Sequence, residues 1–154
     1  MGWIGTFEIN LYLVVAISSW AVAQVAKTII HAIINKKLDL ERMVGDGGMP
    51  SAHSATVTSL ATFCGLMCGW DSPIFALSTV FALIVCHDAM GVRREAGKHA
   101  LLLIEITRAF EDLSKEDLPE VKLKEFVGHS PIQVGAGIIV GIANAFFIYW
   151  MMFL

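Results

Sequence analysis

An all-α polytopic membrane bundle, with about four transmembrane helices plus one amphipathic interfacial helix, is the architecture this sequence predicts. Three observations carry it. Hydrophobic residues make up 56% of the chain and charged residues 16%, whereas a water-soluble domain carries about 25% charge. The apolar residues gather into runs of roughly the length that crosses a ~30 Å hydrocarbon layer. All 11 basic residues fall at one end of those runs. At 154 residues the chain is expected to form a single integral membrane domain, 1–154. A net charge of −3 gives no reason to expect nucleic acid as a partner. Cys64, Cys68 and Cys86 lie inside apolar stretches without CxxC spacing, so they read as small packing residues rather than as a disulfide framework or a zinc site.

The first run extends from about Ile9 to Ile34, interrupted chiefly by Asn10, Lys27 and His31. It lacks a preceding basic region and is too long for a signal-peptide core, so it reads as a retained span whose last turns reach the interface. A polar connection with Lys36, Lys37, Arg42 and three glycines follows. The second run, about Ala52 to Gly69, is small and apolar. Trp70-Asp71-Ser72-Pro73 then predicts a tight turn with Pro73 opening the next helix. That turn forces an antiparallel hairpin with the third run, Ile74 to about Cys86. From Val92 to Leu113 charges recur at helical spacing beside Leu103, Ile106 and Phe110. The pattern is that of an amphipathic helix at the interface. A charged loop containing Pro119 leads to the last run, Pro131 to Leu154, which carries Tyr149 and Trp150 for an interfacial belt.

Counting crossings puts every lysine and arginine on one side and only Glu8 and Asp71, as formal side-chain charges, on the other. The positive-inside rule makes the basic side cytoplasmic, and a bacterial cytoplasmic membrane is the expected location. Glycines Gly135, Gly137 and Gly141 on the last run offer a small-residue face for a homodimer.

The residues able to do chemistry are concentrated on the basic side. Gly47-Gly48-Met49-Pro50-Ser51-Ala52-His53-Ser54 and Gly128-His129-Ser130-Pro131 each put a histidine at a helix start. Such a start offers unpaired N–H groups and partial positive charge, which suit a phosphate or another oxyanion. A third stretch, His87-Asp88-Ala89-Met90-Gly91-Val92-Arg93-Arg94, lies where the third span emerges. Arginine forks match phosphate oxygens in bidentate fashion, although Arg93 and Arg94 also suit simple anchoring at anionic headgroups. Asp88 near the membrane boundary needs a partner. Lys27 either points into the same pocket or snorkels to the interface.

Pro50-Ser51-Ala52-His53 resembles the Pro-Ser-Gly-His motif of the type 2 phosphatidic acid phosphatase superfamily, which includes lipid phosphatases and vanadium haloperoxidases. The three stretches Gly47–Ser54, Asp88–Arg94 and Gly128–Pro131 together resemble its divergent, bacterial and plastid branch. What the resemblance implies is hydrolysis of a phosphomonoester through a phosphohistidine, with no metal or other cofactor. His129 would be the nucleophile and His53 the general acid. Lys27, Ser51, Arg93 and Arg94 would bind the phosphoryl oxygens. Two positions depart from the parent pattern: Leu123 and Gln133 stand where the third motif has arginine and aspartate. Asp88 is the carboxylate available to orient His129 instead, and Arg93 or Arg94 the substitute for the arginine. The expected partner is a lipid phosphate, a prenyl phosphate or another phosphorylated amphiphile. The same pocket without turnover would bind or move phosphate-bearing lipids. A third reading makes the motifs mere helix caps.

Overall fold

The structure, a computed structural model, describes residues 9–36, 48–114 and 128–153. The described residues form five helices: α1 (Leu11–Asn35), α2 (Ala52–Cys68), α3 (Pro73–Met90), α4 (Val92–Ser114) and α5 (Pro131–Phe153). No strand occurs among the described residues. The connection carrying Lys37 and Arg42, the loop around Pro119, and Gly47 lie outside the described residues.

Helix ends follow local chemistry. The Asn10 side chain accepts from the amides of Tyr12 and Leu13 at 3.1 and 3.3 Å and starts α1. Lys36 closes it in the left-handed conformation. Ser72 caps α3 with Pro73 directly after it, the position where a missing N–H costs nothing. The third run was expected to end near Cys86, but α3 continues to Met90. Nothing in the sequence breaks the helix before Gly91, whose amide donates to the His87 carbonyl at 2.9 Å. His87 and Asp88 therefore sit on the last turns of α3 instead of in a loop.

Helix α2 is the centre of the bundle and packs against α1, α3 and α5. It is built for close approach. Ala52, Ser54, Ala55, Ser59, Ala61 and Cys64 are all buried, and its hydroxyls are satisfied by its own backbone, as in Thr58 to Ser54 (2.6 Å) and Thr62 to Thr58 (2.8 Å). Gly137 and Gly141 of α5 lie directly on it. A Cβ at Gly137 would meet the Ser51 carbonyl, and one at Gly141 would meet the Ala55 carbonyl and the Thr58 hydroxyl. Two of the glycines expected at a homodimer face, Gly137 and Gly141, thus pack inside the chain against α2, whereas Gly135 meets nothing.

The exterior is apolar and the interior small or polar, which inverts the pattern of a water-soluble protein. On α1 the buried stripe is Val15, Ser19, Ala23 and Lys27, four residues apart, while Ile17, Val25, Ile29 and Ile33 are exposed. On α5, Val134, Gly137, Gly141 and Ala145 face inward; Ile139, Phe146 and Trp150 face outward. Asn144 reaches across to α1, donating to Ser18 Oγ at 3.0 Å. In a bilayer, polar groups of this kind belong between helices. Helices α1 and α5 and the α3–α4 run are long and apolar enough to cross a membrane. Helix α2, with 17 residues, spans about 25 Å, short of the ~30 Å layer, and its length is made up by packing among the others.

Helix α4 is amphipathic and, among the described helices, packs on α3 alone. Leu102, Leu103, Ile106 and Phe110 are exposed, and the Glu95–Lys98 pair at 2.6 Å lies on its surface.

Candidate functional site

Four helix ends meet at one end of the bundle. The Ser51 amide donates to the Gln133 carbonyl at 3.0 Å and ties the start of α2 to the first turn of α5. The His129 amide donates to the Ala89 carbonyl at 2.9 Å, which draws in the end of α3. From α1, the stem of Lys27 passes under Gly48: a Cβ there would stand 3.2 Å from Lys27 Cγ. Gly48 also has φ +88°, a conformation that costs a glycine little and other residues much. What the sequence offers as a plain glycine loop is therefore a fitted lid over the lysine stem.

His53 lies in the first turn of α2 and is exposed, while His129, two residues before α5, is 3% exposed. Their ring centroids are 6.3 Å apart with the planes at 90°. Two helix N-termini thus present their imidazoles to each other at the same end of the bundle. Perpendicular rings at this separation stand in edge-to-face contact, so the two imidazoles share one spot at the end of the bundle.

The remaining sequence candidates fall as follows. Lys27 is 4% exposed and lines a pocket of about 240 Å³ with His31, Gly48, Met49 and Gln133. Asp88 lines a separate groove between α3 and α5, beside His87 and Pro131; the backbone contact to His129 comes from its neighbour Ala89. Arg93 and Arg94 occupy the first turn of α4, just past the Gly91 break. Ser51 is fully buried, and its hydroxyl serves the α2 cap, accepting from the Ser54 amide at 3.4 Å and the Ser54 hydroxyl at 3.1 Å. Its hydroxyl thereby fixes the first turn of α2, which carries His53.

A profile of the divergent PAP2 family matches residues 9–144, a stretch that includes every residue just placed. The chain belongs to the divergent PAP2 family. A relative in Bacillus subtilis (strain 168), the uncharacterized membrane protein YuiD, is 41% identical over 142 residues, covering 86% of this chain and 90% of its own length. No solved structure matches the chain. That relative's name records a membrane protein, and the chain described here is an integral membrane protein of the same family.

In this divergent PAP2 protein one residue has a part that the sequence reading did not give it. Gln133 stands where the parent motif has aspartate, and its Oε1 accepts from the Ser130 amide at 2.9 Å while its own amide donates to Ser130 Oγ at 3.3 Å. This is a reciprocal capping box, and Ser130-x-x-Gln133 already spells it in the sequence. The Gln133 side chain is thereby committed to holding the turn that carries His129. Gln133→Ala is expected to lower stability by about 1 kcal/mol, the usual cost of a lost cap, read as a lower Tm in detergent. Gln133→Glu keeps the reciprocal pattern and should retain the wild-type Tm; a Tm equal to that of the alanine variant would refute the capping role.

Proposed function

We propose that this protein is a membrane-embedded phosphatase that hydrolyses a phosphomonoester of a lipid or prenyl phosphate, with its site at the cytoplasmic face of a bacterial cytoplasmic membrane. The observation that carries the reading is the approach of the His53 and His129 rings, 6.3 Å apart, at the end of the bundle where Lys27 also lies buried.

A ring nitrogen of His129 attacks phosphorus, forming an N–P bond as the P–O bond to the lipid alcohol breaks. The imidazolium of His53 gives its proton to the departing oxygen. Water then attacks the phosphohistidine; the neutral His53 takes the water's proton, the N–P bond breaks, and inorganic phosphate leaves. His53 is the exposed member of the pair, which suits a group that must exchange protons with solvent. Lys27, Arg93 and Arg94 hold the phosphoryl oxygens, and the two helix N-termini add partial positive charge. The cytoplasmic orientation is supported by the crossing count in the sequence, which puts every lysine and arginine on one side of the spans.

A second reading, binding or transport of phosphate-bearing lipids without turnover, is favoured by Gln133. The parent motif's orienting carboxylate is absent, and its replacement is spent on a helix cap. One assay separates the two. Purified protein in lipid is given a panel of lipid and prenyl phosphates, and phosphate release is followed with and without vanadate, an analogue of the transferring phosphoryl group. Vanadate-sensitive release is expected. Headgroup binding with no release from any substrate would establish the second reading instead.

A further inference from the structure

Helices α3 and α5 both pack on α2 but touch each other little, and between them runs a groove of about 760 Å³. Its floor is Cys86 and Val134, both buried; Leu83 and Ile84 on α3 and Ile138 on α5 form its walls. Leu83 and Ile84 are also among the exposed apolar residues, so the groove opens sideways on helices that lie in the hydrocarbon layer. Its polar end holds His87, Asp88 and Pro131. That end adjoins the site, because Pro131 is two residues from His129 and the His129 amide is bonded to Ala89. One position on the α5 side is empty: a Cβ on Gly135 would meet nothing within 4 Å.

We infer that this groove receives the hydrocarbon tail of the phosphorylated substrate from the side, and that Gly135 keeps it open, making Gly135 the residue that sets tail specificity. The inference rests on the phosphatase reading for what happens at the headgroup, but the groove makes a claim of its own about the tail. An amphiphile whose phosphate meets the imidazoles has to send its chain somewhere. Toward α2 the way is closed by Ser51 and Ala55, both buried. Toward the α3–α5 gap it passes the polar end at His87 and Asp88 and then meets apolar walls and lipid. From Pro131 to Ile138 the groove follows α5 for about 10 Å, so the part of the tail nearest the headgroup is in contact with protein and the remainder lies in the bilayer. Remote contacts of this type raise turnover when their binding energy positions the reacting end.

The test uses the full-length protein in lipid nanodiscs with alkyl phosphates of increasing length, from butyl to hexadecyl phosphate. For the wild type, kcat/KM should rise with length and then level off once the chain exceeds about 10 Å, the groove's extent along α5. Gly135→Leu and Gly135→Phe put a side chain into the groove from a Cβ position that meets nothing within 4 Å. They are expected to lower kcat/KM for dodecyl phosphate by about tenfold or more, the range for losing a few apolar contacts in a pocket, while leaving butyl phosphate within about twofold. Gly135→Ala serves as a graded control with a small effect. Binding of spin-labelled dodecyl phosphate is measured alongside. If the wild type hydrolyses nothing but loses tail binding on Gly135→Phe, the groove assignment holds and the phosphatase reading fails. If it hydrolyses butyl and dodecyl phosphates equally, or Gly135→Phe affects both alike, the phosphatase reading holds and the groove assignment is overturned. A change in oligomeric state with no change in tail preference would assign the gap to subunit pairing and overturn it as well.

Discussion

Phosphomonoester hydrolysis by a His129→Ala variant is expected to fall by about 10⁴-fold or more, the scale on which removal of a covalent nucleophile leaves only binding and positioning. His53→Ala should cost less, about 10²–10⁴-fold for an alkyl phosphate, as for the loss of a general acid. Its deficit should shrink sharply with p-nitrophenyl phosphate, whose leaving group departs without needing a proton. In the proposed mechanism the two histidines work on the same phosphoryl group, so the double variant should be no worse than His129→Ala alone. Rapid quench with ³²P-labelled substrate supplies the direct check. An acid-labile, base-stable phosphoprotein should form in the wild type, accumulate in neither His129 variant, and map to the tryptic peptide that begins at Glu125. Retention of a tenth of the activity by His129→Ala, with no labelled peptide in the wild type, would dispose of the covalent route.

The second large effect concerns packing. Gly141→Leu is expected to destabilise the bundle by about 3 kcal/mol, the upper part of the range for overpacking. A Cβ at this position meets the Ala55 carbonyl and stands 3.0 Å from the Ser59 amide; backbone atoms cannot turn aside as a flexible side chain can. The displaced α5 would carry Ser130 and His129 with it, so activity should fall together with Tm. Gly135→Ala, one and a half turns away on the same helix, should do the opposite and stabilise by about 0.5–1 kcal/mol, since a helix interior favours alanine where space is free. Unfolding in detergent by heat or by steric trapping measures both. Equal effects at the two sites would mean that α5 does not rest on α2 through Gly141.

These contrasts show where sequence was informative and where it was not. The apolar runs, the amphipathic pattern after Gly91 and the turn before Pro73 put five helix starts within two residues of where they lie, whereas Asn10, which reads in the sequence as an interruption of the first run, is the cap of α1. The end of α3 was placed too early. Hydrophobicity ends near Cys86, but hydrophobicity is not what ends a helix, and the backbone continues to the glycine at 91. Patterns on the glycines at 137 and 141 were equally open to self-association and to internal packing; only the position of α2 decides between them. At the candidate site, the proximity of His53 and His129 was foreseeable from crossing number alone, since both open on the same side. The part played by Gln133 was spelled in four consecutive residues and passed over because its position in the parent motif drew attention to a missing carboxylate. The burial of Ser51 and the fit of Gly48 over Lys27 depend on contacts between segments more than twenty residues apart, which no periodicity records.

The order in which the segments leave the ribosome gives the α2–α5 contact a further meaning. Helices α1 to α3 are made consecutively and find neighbours nearby in the chain, yet the partner that covers α2 arrives last, after α4. Until then the seats for Gly137 and Gly141 face lipid, and the Ser51 amide awaits the Gln133 carbonyl. A chain stalled during synthesis would hold His53 without His129 beside it, so the imidazole pair is assembled only when the last helix is in place.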